Sequence, residues 1–183
     1  MSRARQLLKR VRQKLLRKSY IDTLKEQGLR VGKNFKILAD SRIDWSHCWH
    51  VEIGDDVTIG PRVLILAHDT STKTALNYTR IGKVNIGSRV FIGAASVVLP
   101  GVSIGNDVII GAGSIVSRDI PSGSVAAGNP CRVLCSMEDF LARKQAELEQ
   151  YPRFDEGYTL NRITDKMKDE MNTKMKHRFG YLI

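Results

Sequence analysis

"VNIGSRVFIGAASVVLPGVSIGNDVIIGAGSIV", residues 84–116, places an aliphatic side chain at every sixth position: Ile86, Ile92, Val98, Ile104, Ile110 and Val116. A glycine often follows, at Gly87, Gly93, Gly105 and Gly111, and a second small or β-branched residue sits four places on, at Val90, Ser96, Val102, Val108 and Ser114. A period of six is neither the 3.6-residue repeat of a helix nor the alternation of a half-buried strand. It fits a chain that turns a corner every six residues, with one aliphatic side chain pointing inward on each face. Three such hexads close a triangular coil, and coils stack as parallel strands in a β-solenoid. Glycine behind the inward aliphatic suits a corner that needs unusual dihedrals or a close backbone approach. A sandwich of ordinary strands would instead show period-two alternation and drifting turn spacing.

The same spacing extends upstream to Ile53, Ile59 and Ile65, and less regularly to Val31, Ile37 and Ile43. Two insertions interrupt it. One lies in the run "DWSHCWH", residues 44–50, and the other between Ile65 and Ile86, beginning "AHDTST" at residues 67–72. Neither can enter the packed interior, so each must loop out from a corner. His68 therefore stands where the chain leaves the wall of the coil, anchored on one side and open on the other. The flanks carry helical spacing: Leu7, Leu8, Val11, Leu15 and Leu16 share one face of a basic segment, and further helices are expected over 136–150 and about 160–178. The expected division is a basic helical segment over 1–28, the solenoid over 29–134 and a helical extension over 135–183.

The formal charge of +10, from 29 Lys and Arg against 19 Asp and Glu, points to an anionic partner without naming one. Arg3, Arg5, Lys9, Arg10, Arg12, Lys14, Arg17 and Lys18 all precede the first acid, Asp22. Such a helix could lie on an anionic membrane or cap the open end of the solenoid. Nucleic acid has no motif behind it. With no apolar span, no signal-peptide core and three cysteines lacking metal spacing, a cytoplasmic protein is expected, at most peripheral to the inner membrane surface.

Residues 31–134, and above all "IPSGSVAAGNPCRVL" at 120–134, resemble the hexapeptide-repeat acyltransferases. That group contains maltose and galactoside O-acetyltransferases and the acetyltransferases of surface-polysaccharide clusters. The resemblance implies a left-handed parallel β-helix, where general rules for parallel crossovers favour the right hand. It also implies a homotrimer with sites between subunits and acetyl-CoA as acyl donor. His68 matches the family's catalytic histidine. A thioester is already activated, so transfer chiefly needs a better nucleophile, and a neutral imidazole that takes the hydroxyl proton supplies roughly 10²–10⁴ in rate. Asp69 is a candidate to orient that imidazole, to bind the acceptor or simply to face water. Phe91, Ala94, Ala112, Ser117, Arg118 and Arg132 match cofactor-contacting positions, with the two arginines suited to phosphates. Relatives often carry tryptophan at the Phe91 position and serine at the Ala94 position, so both contacts are reduced here.

For the acceptor, Asp40, Asp44, Trp45 and Trp49 occupy the matching region, where an indole beside a carboxylate would seat a sugar ring. The tryptophans could equally cap the coil's apolar end. His47, Cys48 and His50 resemble metal ligands faintly, but no fourth partner accompanies them and no metal is expected. The reading is an acetyl-CoA-dependent O-acetyltransferase acting on a sugar or saccharide intermediate, by direct transfer. N-acetylation of an amino sugar or another small acceptor such as serine or a drug, and a non-catalytic binding solenoid, stand as alternatives.

Overall fold

The computed structural model describes residues 19–175 and 179–183. Residues 1–18 of the basic helical segment expected over 1–28, with its membrane or capping role, and residues 176–178 lie outside the described residues. Two compact units divide between Met137 and Glu138.

The first unit is a left-handed parallel β-helix of three faces. The first face stacks Arg30–Val31, Val51–Ile53, Val84–Ile86 and Ser103–Ile104. The second stacks Lys36–Ile37, Thr58–Ile59, Val90–Ile92, Val108–Ile110 and Ser124–Ala127. Arg42–Ile43, Leu64–Ile65, Val97–Val98 and Ile115–Val116 form the third. Register follows the six-residue series, with Ile37 opposite Ile59, Ile59 opposite Ile92, and Ile92 opposite Ile110. From Ile43 onward every aliphatic of the series is at most 3% exposed, while Val31 and Ile37 pack partly buried against that core.

The corner positions explain themselves. Ser41, Ser96 and Ser114 are buried without polar cost because each hydroxyl donates to a glycine carbonyl, Gly60 or Gly111, and accepts a main-chain N–H. Gly93 is required by crowding: a Cβ there would come within 2.4 Å of the Ala112 nitrogen. The left-handed dihedrals fall two residues after such corner glycines, at Arg89, Ala95 and Asp107. Gly93→Ala should therefore lower stability by about 1–3 kcal/mol in denaturant unfolding, and an unchanged midpoint would contradict the close approach.

A short helix, α1 (Tyr20–Glu26), closes the first coil. Ser19 caps it by accepting the Asp22 N–H, and its apolar side buries Leu24, with Leu29 and Cys48 beside it in the same core. The Tyr20 hydroxyl donates to the Ile43 carbonyl (2.8 Å) and accepts the Ile43 N–H (2.9 Å), so it satisfies main-chain groups on the rim of the third face. At the opposite end the chain reverses, and Arg132–Ser136 runs antiparallel to Ser124–Ala127.

Both insertions loop out. The first contains a single 3-10 turn, Cys48–His50. The second forms a two-rung antiparallel ribbon, His68 opposite Ile81 and Asp69 opposite Arg80, around the one-turn helix α2 (Lys73–Leu76). The second unit holds α3 (Met137–Gln150) and α4 (Asp165–Lys174), with a strand pair, Arg153–Phe154 and Tyr181–Leu182, that buries Phe154. α4 starts later than the apolar spacing alone suggests because the Thr164 side chain accepts the Met167 N–H and fixes its first turn.

Candidate active site

The wall of the second coil ends at Ala67. Leu66 still donates to Val98, and Ala67 is fully buried, but His68 already belongs to the outward ribbon. One coil earlier, Ile43 lies opposite Ile65, which brings Asp44 level with the start of that exit. The Asp44 side chain is 1% exposed and the His68 side chain 30%. Asp44 Oδ2 accepts the Ala67 N–H (2.9 Å) and makes a direct short contact with His68 Nδ1. Its Oδ1 accepts the Ser46 N–H (3.1 Å), the Ser46 hydroxyl (2.9 Å) and the His47 N–H (3.2 Å). Burial alone would raise this carboxyl, but the hydrogen bonds from His68, Ala67 and Ser46 outweigh it and hold Asp44 below the usual carboxylate range. An ionised carboxylate can only accept, so Nδ1 carries a proton, and in the neutral ring the lone pair is on Nε2.

The carboxylate that orients His68 is thus Asp44, not Asp69. Neighbours on a strand project to opposite sides, and Asp69 Oδ1 turns back to accept the Ser71 N–H (2.8 Å), which holds its carboxyl low. Asp44, expected from its sequence position at the acceptor, borders the first cleft with its side chain almost wholly enclosed.

The faint metal pattern also resolves differently. Cys48 is buried under α1, its Sγ 3.6 Å from the Leu24 carbonyl, and burial pushes its thiol up and keeps it protonated. Among the described residues Asp44, His47 and His68 do converge, with ligand-type atoms within 4.8 Å of one another. Yet His68 touches Asp44 directly, and the other Asp44 oxygen is filled by Ser46 and His47 donors. The cluster is a hydrogen-bonded network.

His68 and Leu66 form the partition between two clefts. One, of about 530 Å³, is lined by Tyr20, Arg42, Asp44 and Trp45; the other, of about 580 Å³, by Asp69, Arg80, Leu99, Pro100 and Ser117. An imidazole on such a partition can reach a group held on either side.

The family model described as bacterial transferase hexapeptide (six repeats) matches residues 83–118. Protein CapG of Staphylococcus aureus is 37% identical over 124 residues, 65% of this chain and 72% of that protein. The chain belongs to the hexapeptide-repeat acyltransferase family. Galactoside O-acetyltransferase of Escherichia coli K12 is 39% identical over 117 residues, 61% of this chain, which spans only 56% of that enzyme. The hexapeptide-repeat acetyltransferase of Vibrio cholerae in complex with acetyl coenzyme A superposes with a TM-score of 0.54 at 27% identity, covering 60% of this chain and 61% of that one.

The hexapeptide coil sorts the remaining candidates into places. Ala94 and Ala112 stack at the corner leaving the second face, where Gly113 donates to the Ala94 carbonyl (2.8 Å), and Phe91 lies exposed on that face opposite Ile109. Ser117 follows the third face and borders the second cleft. Arg118 and Arg132 are exposed, and neither pairs with a carboxylate among the described residues; Arg132 donates only to the Cys131 carbonyl. Trp45 is 74% exposed in the first cleft, whereas Trp49, 48% exposed, lies beside His47 and His50 and lines neither cleft. Leu24 and Leu29 are buried in the core, whereas both indoles are exposed. Asp40 occupies an exposed corner with φ +61° and lines neither cleft. Tyr20, Arg42 and Ser46 were not singled out from the sequence. Only the coil offset that aligns Ile43 with Ile65 could have signalled that Asp44 and its neighbours face His68.

Proposed function

We propose that this chain is an acetyl-CoA-dependent O-acetyltransferase acting on a saccharide hydroxyl. The observation that carries the reading is His68, held at Nδ1 by a buried carboxylate on the partition between two clefts. Acetyl-CoA supplies an activated acyl group. The second cleft suits such a donor: Leu99 and Pro100 give an apolar wall for a pantetheine arm beside Ser117, and the unpaired Arg118 and Arg132 offer charge to phosphates. The acetyl-CoA named for the Vibrio cholerae structure supports this assignment. Ala94 and Ala112 leave main chain accessible at a separate corner, where a long donor would reach further along the coil.

The chain's own part is proton handling. His68 Nε2 accepts the acceptor's hydroxyl proton as that oxygen attacks the thioester carbon. Asp44 stabilises the resulting imidazolium, and His68 returns the proton to the departing sulfur as the C–S bond breaks. Assembly as a homotrimer, with a neighbouring copy completing each cleft, belongs to the same proposal. No helix among the described residues is long and apolar enough to cross a membrane. Thiol release from acetyl-CoA across a panel of neutral, acidic and amino sugars tests the activity. Stoichiometric appearance of an O-acetylated sugar is expected. Thiol release without any acetylated product, or product on nitrogen alone, would overturn the assignment.

A further inference from the structure

Two outward-facing arginines on the coil meet an acid: Arg89 forks onto Asp107 at 2.6 and 2.7 Å, and Arg30 approaches Glu52. Arg42 does not. No carboxylate pairs with it among the described residues, and its polar contact is a long one, 3.5 Å from Nη1 to the neighbouring Ser41 carbonyl. Its guanidinium carbon lies 5.7 Å from the centroid of the Tyr20 ring. That ring is itself fixed by the two bonds of its hydroxyl to Ile43, so Arg42 rests on a rigid aromatic support rather than sweeping solvent. Asp44, two residues on, makes no direct pair with it, since its oxygens accept from Ala67, Ser46 and His47 and contact His68.

Arg42 and His68 line the same cleft. Arg42 stands two residues before Asp44, and Asp44 touches His68, so the cation and the base border one cleft of about 530 Å³. A planar fork with an open approach matches a carboxylate or phosphate, and the exposed Trp45 beside it supplies a face for the ring that carries the anion.

Building on the proposed transferase activity, we propose that the first cleft selects an acceptor bearing an anionic group, carboxylate or phosphate, with Arg42 as its specificity determinant. The test is fluorescence titration of the full chain, read from tryptophan because Trp45 lines the cleft, with glucuronic acid, glucose 6-phosphate and glucose. Wild type should bind one of the two anions at least about tenfold more tightly than glucose, and the better anion tells carboxylate from phosphate. Arg42→Gln should bring that ratio close to one, and Arg42→Lys should restore part of it. Equal binding of all three probes by wild type, or a preference that survives Arg42→Gln, overturns the proposal. So does an Arg42→Gln effect confined to KM for acetyl-CoA, which would place the arginine on the donor. His68→Ala should keep the preference, since binding needs no base. A protein that shows the preference yet transfers no acetyl group would refute the transferase reading and leave the anion site standing.

Discussion

His68→Ala is expected to reduce kcat for acetyl transfer by at least about a hundredfold while leaving the protein folded. Both halves of that expectation come from position. The imidazole lies on a ribbon outside the packed interior, 30% exposed, so its removal opens no core cavity. Ala67 still donates to Asp44 in its absence, and Ser46 and His47 still fill the other oxygen. What disappears is the acceptor of the hydroxyl proton. Turnover near the wild-type rate, with unfolding unchanged, would remove His68 from the mechanism.

Asp44→Asn should cost roughly 10²–10⁴ in kcat despite being nearly isosteric, because the imidazolium formed as His68 takes the hydroxyl proton loses its counter-charge. One Asp44 oxygen serves both the Ala67 N–H and His68 Nδ1, and the other serves Ser46 and His47, so the asparagine NH₂ displaces a needed acceptor in either orientation. A circular dichroism spectrum like wild type with a normal rate would show that the carboxylate does not assist the base. The same variant reports on acid stability. Asp44 has its folded pKa held below the ordinary value, so the stability it contributes is fully present above the unfolded carboxyl pKa of about 3.9 and is lost as pH falls through the lower folded value. Thermal unfolding between pH 6 and pH 3 should therefore fall less steeply for Asp44→Asn than for wild type.

The coil was legible because its interior tolerates one kind of residue at one spacing. Ile53, Ile59, Ile65, Ile86, Ile92 and Val98 all ended inside, and the insertions left at the corners where the spacing broke. The hand of the coil was not in that spacing; it came from the resemblance. His68 was legible because a histidine ends an apolar strand. Its partner was not. Adjacent sequence suggested Asp69, whereas a solenoid makes neighbours of residues a full coil apart, and the insertion between 43 and 53 obscured the count that leads to Asp44. For the tryptophans the sequence left two places open, an acceptor platform or a lid over the coil, and Trp45 stands exposed in the first cleft.

Stacked parallel rungs have a natural failure mode, since each open terminus offers a ready template for another molecule and so for a filament. Here one terminus is blunted by a phenol that occupies the backbone of Ile43. The other is blunted by a strand running the wrong way, with a register slip at Val125–Ala126 and the charge of Arg132 upon it. Growth along the axis is thereby discouraged at both terminators.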